Sequence, residues 1–241
     1  SRSIGFLMIP LYTHYLTTAD YGALELLDLV GYIVGLFLAM GISQAVFRHY
    51  YQYDDEEKRE QVISVAMITL WVASAAVLAG LLMVTDTISN IVFKSPDYSR
   101  LFRILFITLV IQLSNRIPLG MLRIEQKSVL FVTINITKLV ISLSLNILFI
   151  VHFGMGIMGI LLSSLIASSF AGIYLLFYIL RKVRFSYSFE ILISMLKYGF
   201  PLMWSWFGMF ILNYGDRFFL QRLASLSDVG IYSLAYKFGM L

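Results

Sequence analysis

Four polar residues recur along one apolar stretch: Asn135, Lys138, Ser142 and Asn146. Spacings of i, i+3, i+7 and i+11 put them on one face of a helix. Lys138 is the eleventh residue of the stretch Ser128–Val151, so in a helix crossing a bilayer it stands near the midplane. A charge there costs roughly 2.5–3.5 kcal/mol on insertion scales. Two solutions are open. Lys138 faces a hydrated lumen, or it pairs with a carboxylate such as Glu25 or Asp28, which are also the candidates for ion coupling. A second stripe joins Gln112, Asn115, Arg116 and Arg123, with Arg116 inside the apolar stretch Leu101–Leu122. Cations held on two stripes around water suit an anionic ligand. Arg48, at the end of another apolar stretch, joins Arg116 and Lys138 by depth and charge, and the polar residues beside them would line the same space.

The elements that must hold these groups are membrane helices. The chain has 241 residues, of which 59% are hydrophobic and 13% charged. Soluble domains average about 45–50% and about 25%, and too few polar side chains remain here to coat a water-soluble surface. Stretches free of Asp, Glu, Lys and Arg are Ser3–Ala19, Leu29–Phe47, Val62–Val84, Phe153–Leu180 and Tyr198–Gly215. Leu101–Leu122 and Ser128–Val151 each carry one basic residue deep in the stretch, Arg116 and Lys138, and an eighth stretch begins near Val229. About 20 residues cross the hydrocarbon as a helix, whereas the strict alternation of membrane strands is absent. The expected fold class is all-α and polytopic, with about eight spans. Ser1-Arg2-Ser3 runs straight into an apolar stretch and Gly239-Met240-Leu241 ends inside another, so the chain reads as a piece whose ends fall within helices.

Several chemistries are excluded or disfavoured. With no cysteine there can be no disulfide scaffold, Cys-ligated zinc, iron–sulfur cluster or thiol nucleophile. His14, His49 and His152 are isolated, and no metal site is expected. Gly154-x-Gly156-x-x-Gly159 matches a dinucleotide fingerprint in form only, since no strand precedes it and no acid follows about 20 residues on. Asp54-Asp55-Glu56-Glu57 reads as a solvated loop before a helix N-terminus. No catalytic triad, phosphate loop or paired catalytic carboxylates appear, so transport is expected rather than enzymatic work, with no cofactor and no nucleic acid partner. Trp204 and Trp206 read as packing or interface residues, and the small residues of the second and sixth spans as close helix contacts. Pro10, Pro118 and Pro201 fall inside the first, fourth and seventh spans, where each frees a carbonyl and creates either a hinge or a static kink.

Charge and repetition give the topology. The connections after spans two, four and six hold Arg48, Lys58, Arg59, Arg123, Lys127, Arg181, Lys182 and Arg184, eight in all. The remaining connections hold Lys94, Arg100, Arg103, Arg217 and Arg222, five in all. The bias places the even-numbered connections in the cytoplasm. Asp20 and Gly22 after span one correspond to Asp228 and Gly230 after span seven, an offset of 208 residues. Six spans between them make the two turns face the same side, as in parallel repeats of a transporter. On this reading residues 1–184 are a first six-helix bundle and 185–241 the start of a second.

The segments Phe6-Leu7-Met8-Ile9-Pro10-Leu11 and Tyr15-Leu16-Thr17-Thr18-Ala19-Asp20-Tyr21-Gly22 resemble the first helix and turn of polysaccharide flippases. Asp216-Arg217-Phe218-Phe219-Leu220 and Asp228-Val229-Gly230-Ile231-Tyr232-Ser233-Leu234-Ala235-Tyr236 resemble their seventh-to-eighth helix signature. These are the O-antigen and lipid-linked oligosaccharide flippases of the multidrug/oligosaccharidyl-lipid/polysaccharide exporter superfamily. Ser1-Arg2-Ser3-Ile4-Gly5-Phe6 and Gly41-Ile42-Ser43-Gln44-Ala45 resemble the related lipid II flippases, and Arg2 matches the arginine of their helix-one motif. The resemblance implies two bundles around a V-shaped cavity in a bacterial or archaeal cytoplasmic membrane. It implies alternating access that carries an undecaprenyl-diphosphate-linked glycan to the far leaflet, with membrane lipid as surroundings and a proton or sodium as a coupling ion. A cation-coupled multidrug antiporter of the same superfamily is the alternative, and a membrane glycan polymerase or ligase ranks below both.

Overall fold

The computed structural model describes residues 14–239. Ten α-helices carry the described chain: α1 Thr18–Ala39, α2 Ile42–Tyr50, α3 Glu56–Met83, α4 Thr85–Phe93, α5 Ser99–Ser114, α6 Arg116–Ile124, α7 Ser128–Ile147, α8 Gly156–Leu180, α9 Phe189–Leu223 and α10 Leu226–Gly239. The protein is an all-α polytopic membrane protein. Among the described residues five helical segments are long and apolar enough to cross a bilayer: Thr18–Tyr50, Glu56–Met83, Pro96–Ile124, Ser128–His152 and Gly156–Leu180. Helix α9 has the length, but its Tyr, Trp, Ser and Asn residues keep it less apolar than these five. The first expected span, with Arg2 and Pro10, lies outside the described residues up to Thr13.

Charge-free stretches mark the hydrocarbon but not the helix ends. Helix α1 starts at Thr18, eleven residues before the apolar stretch, because a capping box fixes it there. The Thr17 hydroxyl accepts from the Asp20 amide, and the Asp20 carboxylate accepts from the Thr17 amide at 3.0 Å. The second span is expected to be continuous and instead breaks between α1 and α2. Met40 and Gly41 adopt left-handed backbone, φ 43° and 66°. The fourth span likewise breaks at Asn115, between α5 and α6, three residues before Pro118. The connection between spans three and four is helix α4 followed by a short 3-10 turn, Pro96–Tyr98. A correction of more consequence concerns Arg217 and Arg222. They are counted above as loop residues, but α9 runs unbroken to Leu223 and contains both.

Helices α1 and α9 lie antiparallel along each other. Glu25 meets Arg217, Tyr32 stacks on Phe210, Phe37 meets Trp204 and Phe207, and Gly41 meets Gly199. Helices α1 and α5 run parallel, with Gly31 against Leu105 and Gly35 against Leu109. The buried core divides in two. One cluster joins α2, α3, α6 and the first turns of α9 around Val62, Met67, Met121 and Met195. The other joins α1, α5, the start of α8 and the end of α9 around Leu26, Phe102, Phe106 and Phe210.

The connections after spans two, four and six gather at one end. Ser64, near the start of α3, donates to the Ser186 carbonyl and accepts from its amide. Glu125, after α6, pairs with Lys127 at 3.0 Å and with Lys182, after α8, at 2.5 Å. The Tyr178 hydroxyl donates to the same carboxylate at 2.6 Å. Burial acts to raise the Glu125 pKa, but hydrogen bonds from Lys182, Tyr178 and Lys127 outweigh it and hold the carboxyl below its usual range.

Candidate functional site

Position by position, the expected site residues separate into anchored and unanchored groups. On the second stripe Gln112 and Asn115 are anchors. The Gln112 amide donates to the Ser164 and Ser168 hydroxyls at 3.3 Å, and the buried Asn115 amide donates to the Ser168 carbonyl at 3.1 Å. They clamp α5 to the small-residue face of α8, where Gly172 lets Asn115 approach. Asn115 and Pro118 also line an apolar cavity of about 520 Å3 between α3, α5, α6 and α8, together with Trp71 and Ser169. Neither Arg116 nor Lys138 is in its wall.

Arg116 opens α6 and is exposed, with the Tyr32 ring of α1 within electrostatic reach. Leu105, Leu109, Gln112 and Arg116 follow a helical stripe, and Leu105 and Leu109 of that stripe meet Gly31 and Gly35 of α1. Lys138 sits half-buried on α7, which packs against α6. Among the described residues neither Arg116 nor Lys138 has a hydrogen bond or an ion pair. Residues 1–13 contain no Asp or Glu that could supply one. The rest of the α7 stripe varies in burial: Asn135 is exposed and donates to the Phe131 carbonyl of its own helix, Ser142 is half-buried and Asn146 is buried. Helix α7 is the least covered span, with 17% of its apolar window buried. Arg48, at the end of α2, is exposed and stacks 4.5 Å over the Tyr198 ring of α9.

Glu25 does not serve Lys138. It pairs with Arg217, Nε to Oε1 at 3.3 Å, and Arg217 is 1% exposed, the largest fully buried side chain. Its guanidinium also meets Asp216 at 3.0 Å, the Asn213 carbonyl at 2.9 Å and the Ser233 hydroxyl at 3.3 Å. The rings of Tyr214, Tyr232 and Tyr236 surround it. Asp28, one turn on from Glu25, is exposed. Arg217 is the residue that sequence reasoning missed. The signal was Glu25 itself, a carboxylate inside an apolar helical run that needs a cation.

A family model described as "Polysaccharide biosynthesis protein" matches residues 1–241, the whole chain. The chain belongs to the polysaccharide biosynthesis protein family. No curated protein matches it. Its fold is similar to an inward-facing conformation of a multidrug resistance MATE family transporter of the MOP superfamily, with a TM-score of 0.77 and 20% identity over 100% of this chain. An outward-facing conformation of a MATE family transporter aligns with a TM-score of 0.74 and 19% identity over 99% of this chain. The chain spans 58% and 57% of the lengths of those two structures.

Proposed function

We propose that this chain is part of a transporter that carries a diphosphate-linked glycolipid, of the undecaprenyl-diphosphate-oligosaccharide class, across the cytoplasmic membrane by alternating access. The observation that carries the reading is the presence of two cations, Arg116 and Lys138, within membrane-crossing helices and without a carboxylate partner among the described residues. An unpaired charge at such depth is tolerated where it meets water or a ligand of opposite sign. A diphosphate supplies that sign, while a polyprenyl tail can stay in the lipid. The family description agrees with a glycan substrate. Arg2 and Arg48 join Arg116 and Lys138 as the proposed diphosphate contacts, and Asn135 and Ser142 as polar wall. Pro118 and Pro201 are proposed hinges. In Pro201, inside α9, the missing amide leaves the Lys197 carbonyl without its helical donor. The even-numbered connections are proposed as cytoplasmic, residues 1–184 as a first six-helix bundle and 185–241 as the start of a second, and the chemistry as transport without bond making or breaking.

The second reading is a cation-coupled multidrug antiporter, and the likeness to solved structures favours it over the first, since both similar structures are multidrug transporters. Such a protein needs a carboxylate available for exchange, and Glu25 is already engaged by Arg217. The test is replacement of Arg116 and Lys138 by Gln in the full-length protein. Glycan export should fall at least tenfold with membrane abundance unchanged, and Arg116→Lys should recover part of it. Normal export from the double variant, or drug efflux that survives it while glycan export is never seen, overturns the flippase reading.

A further inference from the structure

Span four has two faces with different neighbours. Leu105 and Leu109 meet Gly31 and Gly35 of α1, and Arg116 follows on that stripe. Ile111, Ser114 and Pro118 stand on the opposite face. They floor the apolar cavity of about 520 Å3, with Trp71 of α3 in one wall and Ile173 and Leu176 of α8 in the other. Ile173 and Leu176 are exposed, as are Phe170 and Phe177 of the same helix. The cavity is therefore a groove that opens sideways onto an apolar outer surface, away from α9 and α10, which pack on α1. The polar side chains of its floor are engaged elsewhere. The Ser114 hydroxyl donates to the Val110 carbonyl at 2.9 Å, and the Asn115 amide donates to the Ser168 carbonyl at 3.1 Å. So apolar a space does not hold water, and within a bilayer it takes hydrocarbon.

The segment after α8 crosses one end of this groove as a strap. It leaves α8 at Leu180 and lands on α3. The Arg184 amide donates to the Glu60 carboxylate at 3.3 Å, the Ser186 amide donates to the Ser64 hydroxyl at 2.9 Å, and the Phe185 ring lies 5.9 Å from the Trp71 ring. The strap carries Arg181, Lys182 and Arg184. Lys182 is held by Glu125. Arg181 and Arg184 are exposed, and neither guanidinium has a hydrogen bond or an ion pair among the described residues. Arg181 follows the groove residues Leu176 and Ser169 by five and twelve positions, about 7.5 and 18 Å along a helix. Half the hydrocarbon core is about 15 Å deep, so the groove fills the depth of one leaflet beneath two unpaired cations. We infer that strap and groove form a binding site for an anionic phospholipid of the bilayer, its phosphate at Arg181 and Arg184 and one acyl chain along the floor. The chain rests against Ser114 and Pro118 and braces the joint between α5 and α6. The inference is independent of what the protein carries. A cargo whose diphosphate met Arg116 would have its own tail on the other face of span four.

Trp71 in the groove wall reports on the site directly. The test uses full-length protein in phosphatidylcholine vesicles, with every other tryptophan changed to Phe, Trp204→Phe and Trp206→Phe among them. Phosphatidylglycerol brominated on its acyl chains should quench Trp71 saturably at low mole fraction. Brominated phosphatidylcholine should quench only in proportion to its mole fraction. Arg181→Gln and Arg184→Gln should each raise the half-saturating fraction about fivefold, the worth of one basic residue at an anionic surface. Lys58→Gln, which removes an exposed cation outside the strap, should leave it unchanged. Equal quenching by the two headgroups means annular lipid only and overturns the site. So does a half-saturating fraction that ignores both arginines, or one that shifts as far for Lys58→Gln. No quenching by either lipid means that another segment of the chain fills the groove, and this too overturns it. If the single-tryptophan protein does not fold, thermal unfolding of protein with all its tryptophans decides. Phosphatidylglycerol added to neutral detergent should raise the midpoint, as a ligand of the folded state does, and the double arginine variant should lose that rise. A midpoint that phosphatidylglycerol leaves unmoved, or moves equally in the variant, overturns the site. None of these readings involves glycan export, so the flippase reading stands or falls separately.

Discussion

Replacing Arg217 by Met should destabilise the protein by about 3–5 kcal/mol, the cost of stripping one partner from a buried ion pair. The structure sets where in that range each partner falls. Arg217 is 1% exposed and Glu25 7%, so neither can turn to water without moving a helix. Loss of Arg217 leaves the Glu25 carboxylate among Leu24, Leu26 and Leu27 and also removes the bonds to Asn213 and Ser233. Glu25→Gln is milder, because Arg217 retains Asp216 at 3.0 Å and the Asn213 carbonyl at 2.9 Å. That loss should be about 1–3 kcal/mol, in line with a charged hydrogen bond. In the double variant the two losses should fall short of their sum by about 1–3 kcal/mol, the coupling expected of residues in contact. Reversible unfolding of purified protein in detergent, followed by tryptophan fluorescence, measures all three. Additive losses, each under about 1 kcal/mol, would refute the claim that this pair holds α1 to α9.

Further outcomes follow from contacts of the same kind. Gly199→Ala should cost about 1–3 kcal/mol, as overpacking does, because its Cβ meets the Met40 carbonyl oxygen at 2.3 Å. Gly208→Ala on the same helix has nothing within 4 Å of the new Cβ and should stabilise by up to about 1 kcal/mol through helix propensity. Thermal melts of the two variants must shift in opposite directions. Glu125 titrates below its usual range, so its contribution is full above about pH 4.5, the unfolded value, and is lost as pH falls through the folded value. Unfolding between pH 6 and pH 3 should therefore show an acid loss that Glu125→Gln reduces, at a neutral-pH cost of about 1 kcal/mol. Gln112→Leu should loosen α5 from α8 by about 1–2 kcal/mol, the net worth of its bonds to Ser164 and Ser168, with no change in the salt dependence of anion binding.

What the sequence made legible is what hydrophobicity and turn chemistry write locally. Spans three, five and six appear in the structure as α3, α7 and α8 with their ends shifted by a few residues, since each is a long apolar run without an internal proline. Asp20 and Gly22 were readable as one half of a repeated turn, but not that the two turns touch, because a pair 208 residues apart has no local signature. The break at Met40–Gly41 was invisible for a related reason. The residues around it are apolar, and only the approach of Gly199 gives the kink a partner. Charge-counting failed at Arg217. A basic residue near the end of an apolar stretch was assigned to a loop, although helix α9 continues through it and folds it inward. The polar stripe of α5 and α6 was read correctly as a stripe, yet its members serve different ends, because Gln112 and Asn115 find acceptors on α8 where Arg116 finds none.

That division of charges bears on what the protein could carry. Within the membrane helices the described structure satisfies one basic residue completely: Arg217, with a carboxylate from another helix, a second from its own and three aromatic rings. It leaves Arg116 and Lys138 without either hydrogen bond or ion pair among the described residues. At roughly 2.5–3.5 kcal/mol for a cation at the centre of a spanning helix, Lys138 carries that cost, and Arg116, eight residues before the end of its span at Ile124, carries a smaller one. Two apolar residues in their places would avoid that cost, so a purely structural role is a poor account of them. An anionic ligand recovers it through charge-assisted bonds, and does so only while bound. Binding energy available in the loaded state and absent in the empty one is what a substrate needs in order to bias the opening of one mouth over the other. On the proposed function, the neutralised pair at Glu25 and Arg217 holds helices together, while Arg116 on α6 and Lys138 on α7 respond to cargo. Glu25→Gln should change opening rates with diphosphate affinity intact, whereas Lys138→Gln should weaken affinity. A titration of purified protein with a soluble pyrophosphate ester, followed by tryptophan fluorescence, tells the two apart, and equal loss of affinity in both variants would refute the division.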